Sequence, residues 1–271
     1  QGLQNSGNNC IISENTCSGD HYGSHNSGIN CTIADNTCSG EYYGLHNSGT
    51  NCTITGNTCS GGDDGNGLYN SGTNCTIIGN TCSGNNDYGL YNSGDNCTIT
   101  GNTCSGEYQG LQNSGNNCII SENTCSSENY SLYNTGDNCT IIGNTCSSGY
   151  QGLYNTGTNC TITGNTCSSY YSLRNTGDNC TITGNTCSGE YQGLHNSGTN
   201  CTIIGNTCSS GDSSGDYDYG LYNSSTSTTD KCIIIGNICL NGGISVKSGT
   251  CLPATQAAMA DVNTGTIEIR P

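Results

Sequence analysis

A pair of cysteines seven residues apart recurs eleven times along this chain, and that spacing restricts the fold more than any other feature. The first members are Cys10, Cys31, Cys52, Cys75, Cys97, Cys118, Cys139, Cys160, Cys180, Cys201 and Cys232. The second members are Cys17, Cys38, Cys59, Cys82, Cys104, Cys125, Cys146, Cys167, Cys187, Cys208 and Cys239. Cys251 is left over from the total of 23. Most periods are 20 to 23 residues and the last is 31. Residues 1–18 and 109–126 are identical, which marks an internal duplication.

The consensus G-L-x-N-[ST]-G-x-N-C-T-I-x-G-N-T-C-S is followed by a variable stretch rich in Ser, Gly, acid and Tyr. In C-T-I-T the alternation has period two, which sends Cys and Ile to one face and Thr to the other. The Gly-Asn that follows is turn chemistry, because both residues tolerate the left-handed conformation. T-C-S makes a second short strand and G-L-x-N a third. No apolar spacing of three and four supports a helix. One such unit cannot bury its inner face alone, so copies must stack. The expected object is an all-β solenoid, a right-handed parallel β-helix of about eleven short coils over residues 1–239. Residues 240–271 form a non-repeating tail, a cap or a connector to a neighbouring subunit. With coils about 4.8 Å apart, the whole would be on the order of 50 Å long. The longer copies all grow between the second Cys and the Gly-Leu, so insertions bulge from a single edge.

Composition sharpens the problem. Phe and Trp are absent, and only 31% of residues are hydrophobic, a level usually associated with disorder. Regular glycines and cysteines argue instead for order through repetition. The net charge of −16 with only four Lys/Arg leaves no basic patch, which excludes nucleic acid and disfavours anionic membranes. No apolar run is long enough for a spanning helix. A start at Gln1 without a signal-like segment suggests a mature product whose leader has been removed.

The pattern x-N-C-T-I-x-G-N-T-x-S…Y-G-L-x-N is similar to the repeats of right-handed parallel β-helix proteins, a superfamily that includes polysaccharide lyases and periplasmic metal-insertion proteins. The similarity covers about 240 residues and implies fold rather than activity. The cysteine pair departs from it, since such positions usually carry Ile, Val or Leu there. Cysteine-rich, low-complexity solenoids of this style resemble the extracellular sheath proteins of methanogenic archaea, which assemble into insoluble, thiol-sensitive tubes.

Three fates are open to the cysteines: bridges within a coil, bridges between neighbouring coils, or free or metal-bound thiols. C-x6-C without nearby His is not a usual metal spacing. Eleven members in a row would leave one unpaired, so a bridge within each coil, such as Cys52–Cys59, is the expectation. An eight-residue loop contributes roughly 2.5 kcal/mol in the chain-entropy model. Such bridges would stand in for a missing core and place the chain in an oxidising setting, extracellular or at the cell surface. Cys251, without an internal mate, is the candidate for a bond between subunits.

Acids run along the variable edge at Asp20, Glu41, Asp63, Asp64, Asp87, Glu107, Glu128, Glu190 and Asp212, with Asp95, Asp137 and Asp178 at a repeated turn. They read as a solvated face; no cofactor is expected beyond loosely held calcium. No basic residue recurs beside them, which speaks against catalysis. His25, His46 and His195 share the position after Leu with Tyr69, Tyr91, Tyr133, Tyr154 and Tyr222, candidates for lateral contacts. Outward Thr53/Thr55, Thr98/Thr100, Thr161/Thr163 and Thr181/Thr183 form a T-x-T row interrupted by Ile78, Ile142 and Ile204. Eight N-C-T sequons run from Asn30 to Asn200, where the asparagines serve as a ladder or carry glycans. Together these features suggest a structural, non-enzymatic homopolymer forming a sheath, filament or surface layer. A monomeric adhesin, glycan-binding or ice-binding rod is the alternative, and a polysaccharide lyase or hydrolase the least favoured.

Overall fold

A computed structural model describes residues 1–211, 219–227, 231–240 and 243–246, with the backbone alone at 247, 260–261 and 267–270. Among the described residues every regular element is a strand, and the strand pairings are parallel. The chain is a parallel β-solenoid of about eleven turns. It divides into two compact units, residues 1–136 and 137–271. By their cysteine pairs, six turns belong to the first unit and five to the second.

Each turn has three strands; one turn contributes Thr53–Thr55, Thr58–Gly61 and Asn66–Asn70. Equivalent strands stack in register, so Ile54 lies beside Ile33 and Ile77, and Leu68 beside Leu45 and Leu90. In two turns of the second unit the second and third strands run on as one, Thr166–Asn175 and Thr186–Asn196. The corners that let so short a repeat close carry left-handed residues. Asn51 (φ 58°) opens the first strand of its turn and Gly56 (φ 65°) follows it. Glu14, Asp35 and Glu122 occupy the glycine corner in three turns at φ 54–57°, a conformation less favourable for residues with a Cβ.

The interior is narrow. The Ile, Leu and cysteine positions of the repeat face inward, and Ile77, Leu90 and Cys104 are each 0% exposed. Two columns of asparagine complete it. In the first unit Asn36, Asn57, Asn80, Asn102 and Asn123 are buried. Asn80 Nδ2 donates to the Ile54 carbonyl at 2.9 Å and to Asn102 Oδ1 at 3.0 Å, while its own Oδ1 accepts from the Asn57 backbone N–H at 2.9 Å. The second column, Asn26, Asn47, Asn70 and Asn92, links Nδ2 to the next Oδ1 at 2.7–2.8 Å and caps a glycine carbonyl two residues on. Buried amides that donate and accept on every turn are fully paired, which makes a polar interior tolerable.

The bridge expected within each turn is not what the structure shows. No disulfide joins any two of the 22 described cysteines. Sulfur meets sulfur along the columns: the register sets Cys17 beside Cys38, Cys59 beside Cys82 and Cys104 beside Cys125. Parallel in-register stacking brings equivalent residues of successive turns together, and seven residues of separation around a corner carry no such requirement. Cys251 lies outside the described residues.

Parallel pairing in the second unit continues past 239. Ile244–Lys247 adds to Leu221–Asn223, and 260–261 and 267–270 pair in turn with Ile238–Cys239 and Ile244–Lys247.

Candidate functional site

Three surfaces carry side chains that can act on something outside the protein. The first is a polar groove of about 530 Å³ in the first unit. Its wall is built in tiers from the end of each second strand: Ser18-Gly19-Asp20, Ser39-Gly40-Glu41, and Ser60-Gly61-Gly62-Asp63. Glycine is required there, because a Cβ on Gly19 or Gly40 would collide with the carbonyl oxygen of Tyr22 or Tyr43. On the adjoining chain, His21 and Tyr42 stack with ring centroids 5.2 Å apart. Tyr42 is 49% exposed. A row of acceptors beside an aromatic rim suits a ligand rich in hydroxyl groups.

The second surface is an aromatic column on the outer side of the third strands. His25 and His46 stack at 4.8 Å, His46 and Tyr69 at 4.8 Å, and Tyr69 and Tyr91 at 5.1 Å. Each ring also reaches the next turn: Tyr69 OH to Ser93 Oγ at 3.2 Å and Tyr91 OH to Ser114 Oγ at 3.2 Å. In the second unit Arg174 lies over the Tyr154 ring at 5.2 Å, and His195 stacks near Tyr222 at 4.9 Å. Tyr133 stacks on Tyr130 at 5.6 Å. The five tyrosines singled out as lateral contacts are therefore half-buried in stacks. The more exposed rings are Tyr42, Tyr108, Tyr150 and Tyr170, in the variable segment. Tyrosines recur in this segment of the sequence, three of these four standing four residues after the second cysteine, but the pattern does not tell which of them face solvent. Burial, with His25 adjacent, holds His46 down at about 4. Burial, aided by Arg174, holds His195 at about 4. Both imidazoles are thus neutral at physiological pH.

The third surface is the outer face of the first strands. In the first unit Thr53, Thr76 and Thr98 stand in one row and Thr55, Ile78 and Thr100 in the next, all in register. In the second unit Thr161, Thr181 and Thr202 align beside Thr163, Thr183 and Ile204. The isoleucines that interrupt the threonine row are solvent-facing: Ile78, Ile142 and Ile204 are 38–40% exposed. No outward residue of any first strand is charged.

The other candidates fall elsewhere. Asp95 accepts from the Asn116 N–H at 2.7 Å, and Asp137 and Asp178 accept from the N–H and hydroxyl of Thr158 and Thr199 at 2.7 and 2.9 Å. These acids cap corners between turns. Asp212 lies outside the described residues. Among the described residues no three His, Cys, Asp or Glu side chains converge to hold a metal ion. The sequon asparagines are exposed and left-handed, with contacts such as Asn200 Nδ2 to Asn179 Oδ1 at 2.8 Å on the surface. The buried ladders use other asparagines.

The two cysteine rows differ chemically. First-row sulfurs are built into the corners: Cys31 donates to Gly7 O at 3.2 Å and Cys52 to Gly28 O at 3.3 Å, while Asn5 and Asn26 donate to the same sulfurs at 3.4 Å. Second-row sulfurs sit in mid-strand against one another, and burial pushes the Cys38 thiol up to about 12, with Cys17 adding to it.

A family model described as "Periplasmic copper-binding protein (NosD)" matches residues 2–133, just under half of the chain. No curated protein sequence matches it. Among solved structures, the Dettilon tailspike protein (gp208) superposes with a TM-score of 0.65 at 16% identity over 90% of this chain. This chain spans 57% of that tailspike. The A-module of the Azotobacter vinelandii mannuronan C-5 epimerase AlgE4 follows at a TM-score of 0.50 and 11% identity, covering 86% of each chain. That of AlgE6 gives 0.49 at 12% identity, covering 98% of this chain and 92% of that one. At such identities the likeness is one of fold.

Proposed function

We propose that this chain is a structural protein of the cell exterior that self-associates side by side into a sheath, filament or surface layer. The observation that carries this reading is the outer face of the first strands. A chain of net charge −16 repels its own copies wherever acids lie. Its first-strand face, in contrast, is uncharged, regular and partly apolar on both units. A like face on a second copy meets it without burying a charge. The periplasmic description of the matching family supports a location outside the cytoplasm. No helix among the described residues is long and apolar enough to cross a membrane.

Sedimentation and negative-stain microscopy test this. Wild-type protein should form concentration-dependent polymers, and Ile78→Lys with Ile204→Lys should leave folded monomers with unchanged circular dichroism. Wild-type protein that stays monomeric at every concentration would sink the reading.

The groove favours a second reading, the binding of a glycan. Asp20, Glu41 and Asp63 would repel a polyuronate, so a fold shared with a mannuronan epimerase does not bring its substrate along. Neutral or amino sugars fit better. Titration with neutral oligosaccharides, monitored by the fluorescence of the tyrosines, should saturate in wild type and weaken in Glu41→Lys. Release of shortened or epimerised sugar in the same tubes would mark an enzyme.

A further inference from the structure

The two rows of buried thiols have different surroundings, and the difference says where covalent links form. A first-row thiol already has work: Cys31, Cys52 and Cys75 donate to Gly7, Gly28 and Gly49 carbonyls at 3.2–3.3 Å. Oxidation would take one of the two donors from each of these carbonyls, the other being Asn5, Asn26 or Asn47 Nδ2, and that loss opposes bridging in the first row. Thiols touch along both rows, Cys52 meeting Cys75 and Cys75 meeting Cys97 in the first, and what sets the second row apart is its place in mid-strand, away from the corner carbonyls. There Cys17 and Cys38, Cys59 and Cys82, Cys82 and Cys104, and Cys104 and Cys125 are in thiol–thiol contact. Their backbones are in-register neighbours on parallel strands. Strands about 4.8 Å apart put their Cα atoms inside the disulfide window of about 4.4–6.8 Å.

We propose that the second-row cysteines of the first unit are cross-linking sites that join successive turns as Cys17–Cys38, Cys59–Cys82 and Cys104–Cys125, while first-row thiols stay reduced. Six members pair completely only in that register. Each bridge closes 21 to 23 residues, so turns are tied to one another and cannot peel apart singly. The chemistry is thiol–disulfide exchange with a small disulfide. One cysteine sulfur attacks it and expels one thiol; the neighbouring cysteine displaces the second. Two cysteine thiols thereby lose two electrons and two protons, and the small disulfide leaves as two thiols. Exchange needs thiolate, and burial keeps these groups protonated, so the bridges form as the strands assemble and not afterwards. This deepens the exterior, structural reading above, since such oxidants belong to that setting.

The test is a bond map on the full chain, refolded from denaturant in a glutathione redox buffer. Free thiols are alkylated under denaturing conditions, and the chain is cut at Asp and Glu without reduction before mass spectrometry. Expected are linked peptides joining the three named pairs, each lighter by two hydrogens, with Cys31, Cys52 and Cys75 alkylated. Cys59→Ser should lose one bridge and Cys52→Ser none. Bridges such as Cys10–Cys17, bridges within the first row, or full alkylation of all six second-row thiols in folded protein would overturn the proposal. The map reads pairing in purified protein, so it stands or falls separately from any failure to polymerise.

Discussion

Asparagines 51, 74 and 96 and asparagines 57, 80 and 102 recur in the same turns, six residues apart, yet they do opposite jobs. The first set is exposed at φ 56–58°, where the chain needs a residue that tolerates a left-handed corner. The second set is buried at 1% exposure and is chosen for its amide, which both donates and accepts along the solenoid. One residue type thus repeats for a backbone reason outside and a hydrogen-bonding reason inside.

The sharpest way to break that comparison is to remove both side chains separately. Asn80→Ala deletes the acceptor of Asn57 N–H and the donor to Ile54 O, leaving several buried groups unpaired. At ~1–3 kcal/mol for each orphaned group, the loss should be ~4 kcal/mol, read as a drop in urea midpoint. Asn74→Ala removes only the tolerance for positive φ and should cost about 1 kcal/mol. Equal losses would mean that the inner column is not what holds the turns together.

This contrast also measures what the sequence discloses. Period, strand order and the inward path of Ile54 and Leu68 were legible, because a two-residue alternation and a recurrent turn leave one way to bury them. That stacked asparagines matter was legible too. Which asparagines stack was not, since Asn51 and Asn57 recur equally well. The cysteines posed the same difficulty. The odd number of members in each row favoured Cys52–Cys59, whereas in-register stacking makes the equivalent residue one turn away the neighbour in space. The groove was illegible for another reason: Ser18, Gly40 and Asp63 come from three turns and meet only once the turns are stacked.

A smaller effect is expected where the inner column itself is flawed. Ser24 occupies the leucine position of its turn, in register with Leu3 and Leu45, at 1% exposure and with its hydroxyl unpartnered. Ser24→Leu removes a buried unsatisfied hydroxyl and restores the column. It should raise stability by about 1–2 kcal/mol, with a matching rise in Tm. A loss would show that the backbone has closed around the small residue, and that this turn is spaced differently from its neighbours.

The smallest effect separates the outer aromatic column from the inner ones through pH. His46 is held at about 4 by burial against an unfolded value of about 6.5. Above pH ~6.5 the imidazole is neutral in both states and its contribution is fully present. As pH falls from there towards 4, the unfolded chain takes up a proton that the folded chain refuses, so stability is lost. His46 is only half-buried, and solvent screening limits the loss to ~1 kcal/mol. His46→Tyr keeps a ring in the stack, as Tyr69 does one turn on, but has nothing to titrate in that window. Urea midpoints at pH ~7.5 and ~5 should therefore fall further in wild type than in His46→Tyr. The carboxylates titrate alike in both proteins and cancel in the difference. If the two fall equally, the outer column is wet enough to charge in place, and its rings pack as a solvated rim instead of a continuation of the core.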